Sequence, residues 1–375
     1  MNINNNHAQQ VYRKNKGFLE TIHIDGWLLL GVLLLLATSV AIVYSASGGD
    51  EAVMMRQIIR IGFALTLMFI FAQIPPNILY IFTPWLFLLG IIMLISVLLF
   101  GQIGKGAQRW LDIGPVRFQP SELMKLILPM TVAWLFAHSP SPPSVSRLIL
   151  GTVLIAVTGS LIVVQPDLGT SLLIGLSGLS VLFFAGLPWK VIFTAIAGVV
   201  LSAPIAWHFM HGYQKQRVLT FLTPESDPLG SGYHIIQSKI AIGSGGIDGK
   251  GYMGSTQAHL EFLPESTTDF IFSVLAEEFG LLGVIGLLML YSFVIARGLY
   301  IASQAQDNFT RLIAAGFMMT LFVYIFVNIG MVSGLLPVVG LPLPLMSYGG
   351  SSLVTLMISF GILMSIHTHK KLLTK

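Results

Sequence analysis

The chain has no cysteine, which excludes a disulfide framework, thiolate catalysis and cysteine-ligated metal. It is also poor in charge: 10% of its 375 residues are Asp, Glu, Lys or Arg, against roughly 25% in soluble domains. So few charges cannot cover a water-facing surface, and the deficit is matched by 54% apolar residues and a mean hydropathy of +0.82. No fixed-period repeat and no soluble domain is evident, nor is a cleaved signal peptide, because the first apolar run has the length of a full span. The class is a polytopic membrane protein.

In place of charge stands a series of apolar runs. A hydrocarbon core of roughly 30 Å needs about 20 helical residues, and ten runs approach that length: 27–46, 57–73, 78–100, 122–137, 147–164, 170–186, 190–208, 271–296, 310–332 and 350–366. They are continuously apolar, whereas barrel strands alternate, so an α-bundle is expected. The second, fourth and sixth are short or polar at one end. The predicted architecture is all-α, with about ten transmembrane helices in one domain over 26–371, flanked by cytoplasmic tails at 1–25 and 372–375. A long extracytoplasmic loop, 209–270, separates helices seven and eight.

Orientation follows from basic residues. With the N-terminus inside, Arg13, Lys14, Lys16, Arg147, Lys190, Arg297, Arg311, Lys370, Lys371 and Lys375 are cytoplasmic and the other ten basic residues lie outside. Long segments cross largely regardless of charge, and removing the four in the long loop leaves ten inside and six outside. Both termini are then cytoplasmic. Trp27, Trp189 and Trp207 fall near span ends, where amphipathic rings favour the interface.

From His211 to Asp269 the sequence is polar and glycine-rich, and it holds ten of the 36 charged residues. Loops of this length are usually functional or disordered. Recurrent apolar residues, as in Tyr233-His234-Ile235-Ile236 and Leu260-Glu261-Phe262-Leu263, predict an ordered one.

Ionisable groups in or at the edge of spans are costly and mark functional candidates; here they are Glu122, Lys125, Asp167, Asp269, Glu277 and Glu278, all toward the outer side. Glu122 and Lys125 share a helical face and serve either as a structural pair or at a substrate site. Asp167 reads as an N-cap. Asp269 also precedes a helix, but it ends the long loop beside Glu261 and Glu265, where a ligand can reach it. Glu277 and Glu278, about 12 Å further along that helix, read as buried, paired structural residues.

The run Gly243 to Gly251 fails the P-loop pattern, because Ser244 stands where its first glycine is needed and Gly251 where it needs Ser or Thr. Its glycines permit close backbone approach and a row of N–H donors for an anion. With Gly104 to Trp110, Arg109, Arg117, Lys125, Lys239 and Lys250, it suits a diphosphate at the membrane surface; a basic face for anionic headgroups is the alternative. Pro337 to Ser352, rich in Pro and Gly, predicts irregular backbone walling a pocket. His367 and His369 are a weak metal signal beside a basic tail.

Asn328, Gly334 to Gly340 and Ser347 to Ser352 together resemble the signature of the SEDS family of shape, elongation, division and sporulation proteins. Gly104 to Trp110, Phe118 to Glu122, Gln165 to Thr170, Pro224 to Pro228 and Gly232 to Gly251 are also similar to that family, so the resemblance covers nearly all of 25–371. It implies an inner-membrane peptidoglycan glycosyltransferase that polymerises lipid II on the outer face. The implied partners are a class B penicillin-binding protein transpeptidase and the elongation machinery, with membrane lipid around the chain and no nucleic acid. The family's essential loop aspartate carries over onto Asp269.

That chemistry agrees with the residues. A diphosphate leaves as an anion, so no acid is needed to protonate it, unlike in glycosidases. One carboxylate near the acceptor hydroxyl suffices as general base, with cations or a divalent ion, Mg or Mn, stabilising the departing oxygens. Asp269 is the expected base or metal ligand; Arg109, Lys125, Lys239 and Lys250 are expected at the diphosphate, with Glu122 orienting Lys125. No protein-built metal site and no organic cofactor are expected. The competing expectation, a lipid II flippase or transporter, requires ionisable groups across the midplane rather than gathered near one surface.

Overall fold

A computed structural model describes residues 18–104, 107–113, 116–139, 143–210, 212, 215, 219–221, 223, 231–260, 262–263 and 265–369. Residues 1–17 and 370–375, the Pro224 to Pro228 motif, Lys105, Arg217 and Glu261 therefore lie outside the described residues. Thirteen helices run in order among them: α1 (Phe18–Thr21), α2 (Gly26–Ala46), α3 (Glu51–Ala72), α4 (Pro76–Phe100), α5 (Pro120–Phe136), α6 (Val145–Val164), α7 (Leu168–Phe184), α8 (Trp189–Phe209), α9 (Ser231–Ser244), α10 (Thr256–His259), α11 (Ile271–Ser303), α12 (Asn308–Val332) and α13 (Ser351–Thr368).

Each of the ten apolar runs falls on one of these helices. By length and composition, α2, α3, α4, α6, α11, α12 and α13 qualify to cross a membrane; α7 is apolar but shorter. The boundaries are set by local chemistry. Asp25, Asp50, Asp167 and Asp307 each cap the helix that follows through a carboxylate accepting backbone N–H bonds. Pro76 and Pro120 occupy first-turn positions, where the missing N–H costs nothing.

Helices α12 and α13 are the most buried of the spans and form the centre of the bundle. α13 lies along α3, with which Gly361 makes close contact: a Cβ there would fall 2.3 Å from the Met68 carbonyl oxygen. Small residues at such crossings let helix backbones approach in lipid, where dispersion replaces the hydrophobic effect.

Two features were not expected from the sequence. Between α4 and α5 the chain forms a small antiparallel sheet, β1 (Gln102–Gly104), β2 (Ala107–Ile113) and β3 (Val116–Phe118), in that order. The glycine-rich run after α9 is not an anion cradle. Three of its backbone N–H groups are taken up within the protein, Gly249 bonding to the Gly245 carbonyl (2.8 Å), Lys250 to the Glu277 carbonyl (3.0 Å) and Gly251 to the Glu278 carbonyl (2.9 Å).

The run docks onto a break in α11. Gly280 has φ 60° and ψ −157° inside that helix, and the N–H groups just past it, of Leu281 and Leu282, bond to Gly246 (3.0 Å) and Ile247 (3.2 Å) instead of to the preceding turn. The glycines are needed because a Cβ on Gly245 would fall 2.0 Å from the Ala276 carbonyl oxygen, and one on Gly249 2.1 Å from that of Glu278.

At the opposite end of the bundle, Asp25 joins three helices. It caps α2 at the Leu28 N–H (2.8 Å), accepts from Arg297 of α11 at 3.0 and 2.5 Å, and lies 3.0 Å from His367 of α13. Burial opposes its ionisation, but the bonds from His367, Arg297 and Leu28 prevail and hold its carboxyl well below the usual carboxylate range. This assigns His367 a structural partner.

Gly249→Ala should cost about 1–3 kcal/mol through overpacking against α11, read as a lower thermal midpoint in detergent with helix content retained at low temperature. For Asp25, whose folded pKa is depressed, the stabilising contribution is complete above the unfolded value of about 4 and disappears as pH falls through the folded value. The midpoint difference between native chain and Asp25→Asn should therefore shrink as pH falls below about 4.

Candidate active site

The long loop ends in a turn, 265–270, that delivers Asp269 to the N-terminal end of α11. Glu265 adopts φ 56°, its carbonyl accepts from the Thr268 N–H (3.0 Å), and its carboxylate accepts from the Thr268 hydroxyl (2.8 Å). The capping position of α11 falls on Phe270, which makes no side-chain cap bond. Asp269 is half-buried.

The turn is fixed from the other side by the irregular stretch 333–350. Asn328 of α12 donates its amide to the Asp269 carbonyl (2.9 Å) and the Leu341 carbonyl (2.7 Å). Ser347 donates to the Thr268 carbonyl (2.6 Å) while accepting from the Leu343 N–H (2.7 Å), and the Tyr348 N–H donates to the Thr267 carbonyl (2.8 Å). Gly340, at φ +73°, faces the aspartate: a Cβ there would sit 3.5 Å from Asp269 Oδ2. Every one of these residues belongs to the C-terminal signature read from the sequence, and together they set where one carboxylate points.

The same stretch is anchored deep in the bundle. Ser39 of α2 donates to the Met346 carbonyl (2.8 Å), and Tyr291 of α11 to the Pro344 carbonyl (2.5 Å). Gln57 of α3 donates to Ser39 (3.3 Å) and to the Ser347 carbonyl (3.5 Å). Irregular backbone at membrane depth persists only with such partners.

The expected cations fall into distinct environments. Lys239, on α9, is exposed and lies over Gly334, where a Cβ would meet its Nζ at 2.8 Å. It makes no ion pair with a described residue, and it reaches the same stretch that faces Asp269. Arg109, on β2, pairs with Asp167 (3.3 Å) and donates to the Pro166 carbonyl (3.0 Å). Asp167 also caps α7 at Thr170 (3.2 Å), as its position predicted. Two residues on, Gly169 packs so closely on Val339 that a Cβ would be 2.2 Å from it. Arg109 thus reaches the irregular stretch through α7, with its charge balanced.

Glu122 and Lys125 form a buried pair at 2.5 Å. Lys125 also bonds to the Tyr324 hydroxyl, and Glu122 accepts from Thr355 (3.4 Å), so the pair joins α5, α12 and α13. The neighbouring cavity, about 20 Å³, has room for one water. This geometry matches the structural of the two roles open to the pair. Lys250 bonds to Glu277 (2.6 Å), whose carboxylate also accepts from Ser255 (2.6 Å) and Thr256 (2.8 Å). Glu278 accepts from Ser45 of α2. Both glutamates are buried, as the sequence suggested; Glu277 has its cation partner in Lys250, whereas Glu278 bonds to the Ser45 hydroxyl and not to a cation among the described residues. Arg117 pairs with Asp112 on the small sheet (3.5 Å).

Two cations absent from the sequence expectations stand beside the turn. Arg56 and Arg60 of α3 both address Tyr348. Arg60 lies inside the second apolar run and so met the criterion for an intramembrane charge; its position in that run was the available signal.

A family model described as a cell cycle protein, uniting FtsW, RodA and SpoVE, matches residues 19–372. Peptidoglycan glycosyltransferase MrdB of Escherichia coli K12 is 55% identical over 361 residues, covering 96% of this chain and 98% of that protein. A probable peptidoglycan glycosyltransferase FtsW from a Synechocystis species is 38% identical over 344 residues, covering 91% and 86%. Among solved structures, a chain of a peptidoglycan synthase complex that coordinates polymerization and crosslinking matches with TM-score 0.80 at 35% identity, over 92% of this chain and 97% of that one. The rod shape determining protein RodA of Thermus thermophilus matches with TM-score 0.71 at 29% identity, over 92% and 98%. A likeness that spans the whole bundle, together with the signature residues found around Asp269, establishes that this chain belongs to the SEDS family.

Proposed function

We propose that this multi-pass membrane protein is a peptidoglycan glycosyltransferase that polymerises lipid II on the outer face of the inner membrane, with both termini cytoplasmic. The observation that carries the reading is the fixing of the Asp269 turn by Asn328, Gly340, Ser347 and Tyr348 at the outer end of α11.

In the reaction the 4-hydroxyl of one lipid-linked disaccharide attacks the anomeric carbon of another sugar. A carbon–oxygen bond forms there, the bond to the diphosphate oxygen breaks, and the lipid diphosphate departs as an anion. The hydroxyl proton passes to the Asp269 carboxylate, the general base. Lys239, without a counter-ion among described residues, is the cation placed to attract a diphosphate near this turn. Arg109 steadies the wall of the site through Asp167, while Glu122, Lys125 and Lys250 hold the surrounding helices and loop.

The donor set also fits a divalent cation held mainly by substrate. Among described residues no group of three His, Asp or Glu is gathered to hold an ion, and Mg²⁺ or Mn²⁺ is commonly bound by one or two carboxylates together with phosphate oxygens. Asp269 would be its protein ligand, and the ion would add positive charge beside the departing oxygens.

The partner in this reading is a class B penicillin-binding protein acting as transpeptidase within the elongation machinery. Support comes from the structural relative, which belongs to a complex that coordinates polymerization and crosslinking.

Polymerisation of labelled lipid II by the purified protein with its transpeptidase tests the assignment. Asp269→Asn should lower the rate by about 10²–10⁴-fold with lipid II binding retained; a native rate in that variant sinks the general-base role. Native protein that moves lipid II between vesicle leaflets without joining it is instead a transporter. Asn328→Ala removes the donor to two carbonyls, and should cost about 1–3 kcal/mol of stability together with a fall in polymerisation. Unchanged activity in that variant would show that the turn is held by other contacts.

A further inference from the structure

Helix α3 carries Arg56 and Arg60 one turn apart, toward Tyr348. Arg56 Nε donates to the Tyr348 hydroxyl (3.2 Å), and the Arg60 guanidinium carbon lies 4.2 Å from the centre of the same ring. Arg60 also borders Gly350, where a Cβ would be 3.9 Å from its Cδ and Nε. Among the described residues neither arginine has a carboxylate partner, whereas Arg109, Arg117, Lys125, Lys250 and Arg297 each have one.

The position of this charge is unusual. Arg60 lies inside the second apolar run, 57–73, near its N-terminal edge, and is half-buried. A cation there without a counter-ion is expensive, and such groups are functional by default. Stacking on Tyr348 supports the guanidinium through its π face, which leaves the in-plane N–H donors for an anion. Tyr348 is also the residue whose backbone N–H holds Thr267, two positions before Asp269. Cations without carboxylate partners therefore border the irregular stretch at both ends: Lys239 over Gly334, and Arg56 with Arg60 at Tyr348 to Gly350.

Joining two lipid-linked disaccharides brings two diphosphates to one site, and the acceptor keeps its own after the donor's has left. We propose that Arg60, assisted by Arg56, holds the diphosphate of one lipid-linked substrate while Lys239 serves the other. The proposal rests on the polymerase reading above. An anionic phospholipid headgroup offers similar oxygen chemistry, so the test must separate the two sources.

The number of bound undecaprenyl diphosphate molecules can be counted by native mass spectrometry on the full chain carrying Asp269→Asn, which removes turnover. Two are expected, both resisting excess phosphatidylglycerol. Adding Arg60→Gln should leave one, and Arg60→Lys should keep two with the second about ten-fold weaker, a loss within that of one charge-assisted bond. Two equally tight molecules in the Arg60→Gln protein would overturn the assignment, as would ready displacement of the second by phosphatidylglycerol. Should Arg60→Gln not fold, Arg56→Gln, at an exposed position, carries the same expectation of weakened second binding. In polymerisation, Arg60→Gln in the otherwise native chain should raise KM for lipid II about ten-fold with kcat little changed; a fall in kcat at constant KM would count against a binding role. A native chain that makes no polymer defeats the proposed function, whereas an active polymerase whose diphosphate count ignores Arg60 defeats only this inference.

Discussion

The amide of Asn328 joins two pieces of non-helical backbone inside a membrane bundle, and the arrangement of the site depends on it. One N–H group satisfies the Asp269 carbonyl and the other the Leu341 carbonyl, so the end of the loop and the irregular stretch before α13 share one support. Asn328 is fully buried, so water does not take its place. Ser347, Tyr348, Tyr291, Ser39 and Gln57 extend the support outward. A segment with three prolines can remain irregular there because helices on several sides supply its hydrogen bonds.

Charge is distributed economically around this support. Among the described residues four cations are neutralised locally: Arg109 by Asp167, Lys125 by Glu122, Lys250 by Glu277 and Arg117 by Asp112. Replacing one partner of a buried pair leaves the other unpaired, so these pairs constrain helix positions even where their net energy is small. Arg56, Arg60 and Lys239, around the stretch that faces Asp269, have no carboxylate partner among the described residues, and there a mobile anion has something to bind.

The helical bundle was legible because apolar runs of span length are a one-dimensional signal, and because Asp and Pro at their ends are read locally. The 337–350 stretch was legible for the same reason: Pro and Gly exclude a helix without reference to the rest of the chain. Asp167 and the burial of Glu277 and Glu278 were also correctly read from their neighbours in sequence. The small sheet was not, since β1 and β3 have three residues each, too short to show alternation. The pairing of Lys250 with Glu277 crosses 27 positions, and no local pattern reveals it. The glycine-rich run shows the same limit: its composition announces close approach, but only the fold shows that the approaching surface is α11 rather than an anion.

The break at Gly280 bears on how the site experiences the bilayer. The part of α11 before the break, which follows Asp269, gives the Glu277 and Glu278 carbonyls to the glycine-rich run, and the long remainder gives it only the N–H groups of Leu281 and Leu282 next to the break. A bilayer that thickens or thins is met by tilting of long helices, and here that tilt reaches a joint before it reaches the carboxylate. The position of Asp269 is thereby referred to the glycine-rich run and the turn at 265–270 rather than to the lipid alone, so a change of bilayer thickness reaches it damped.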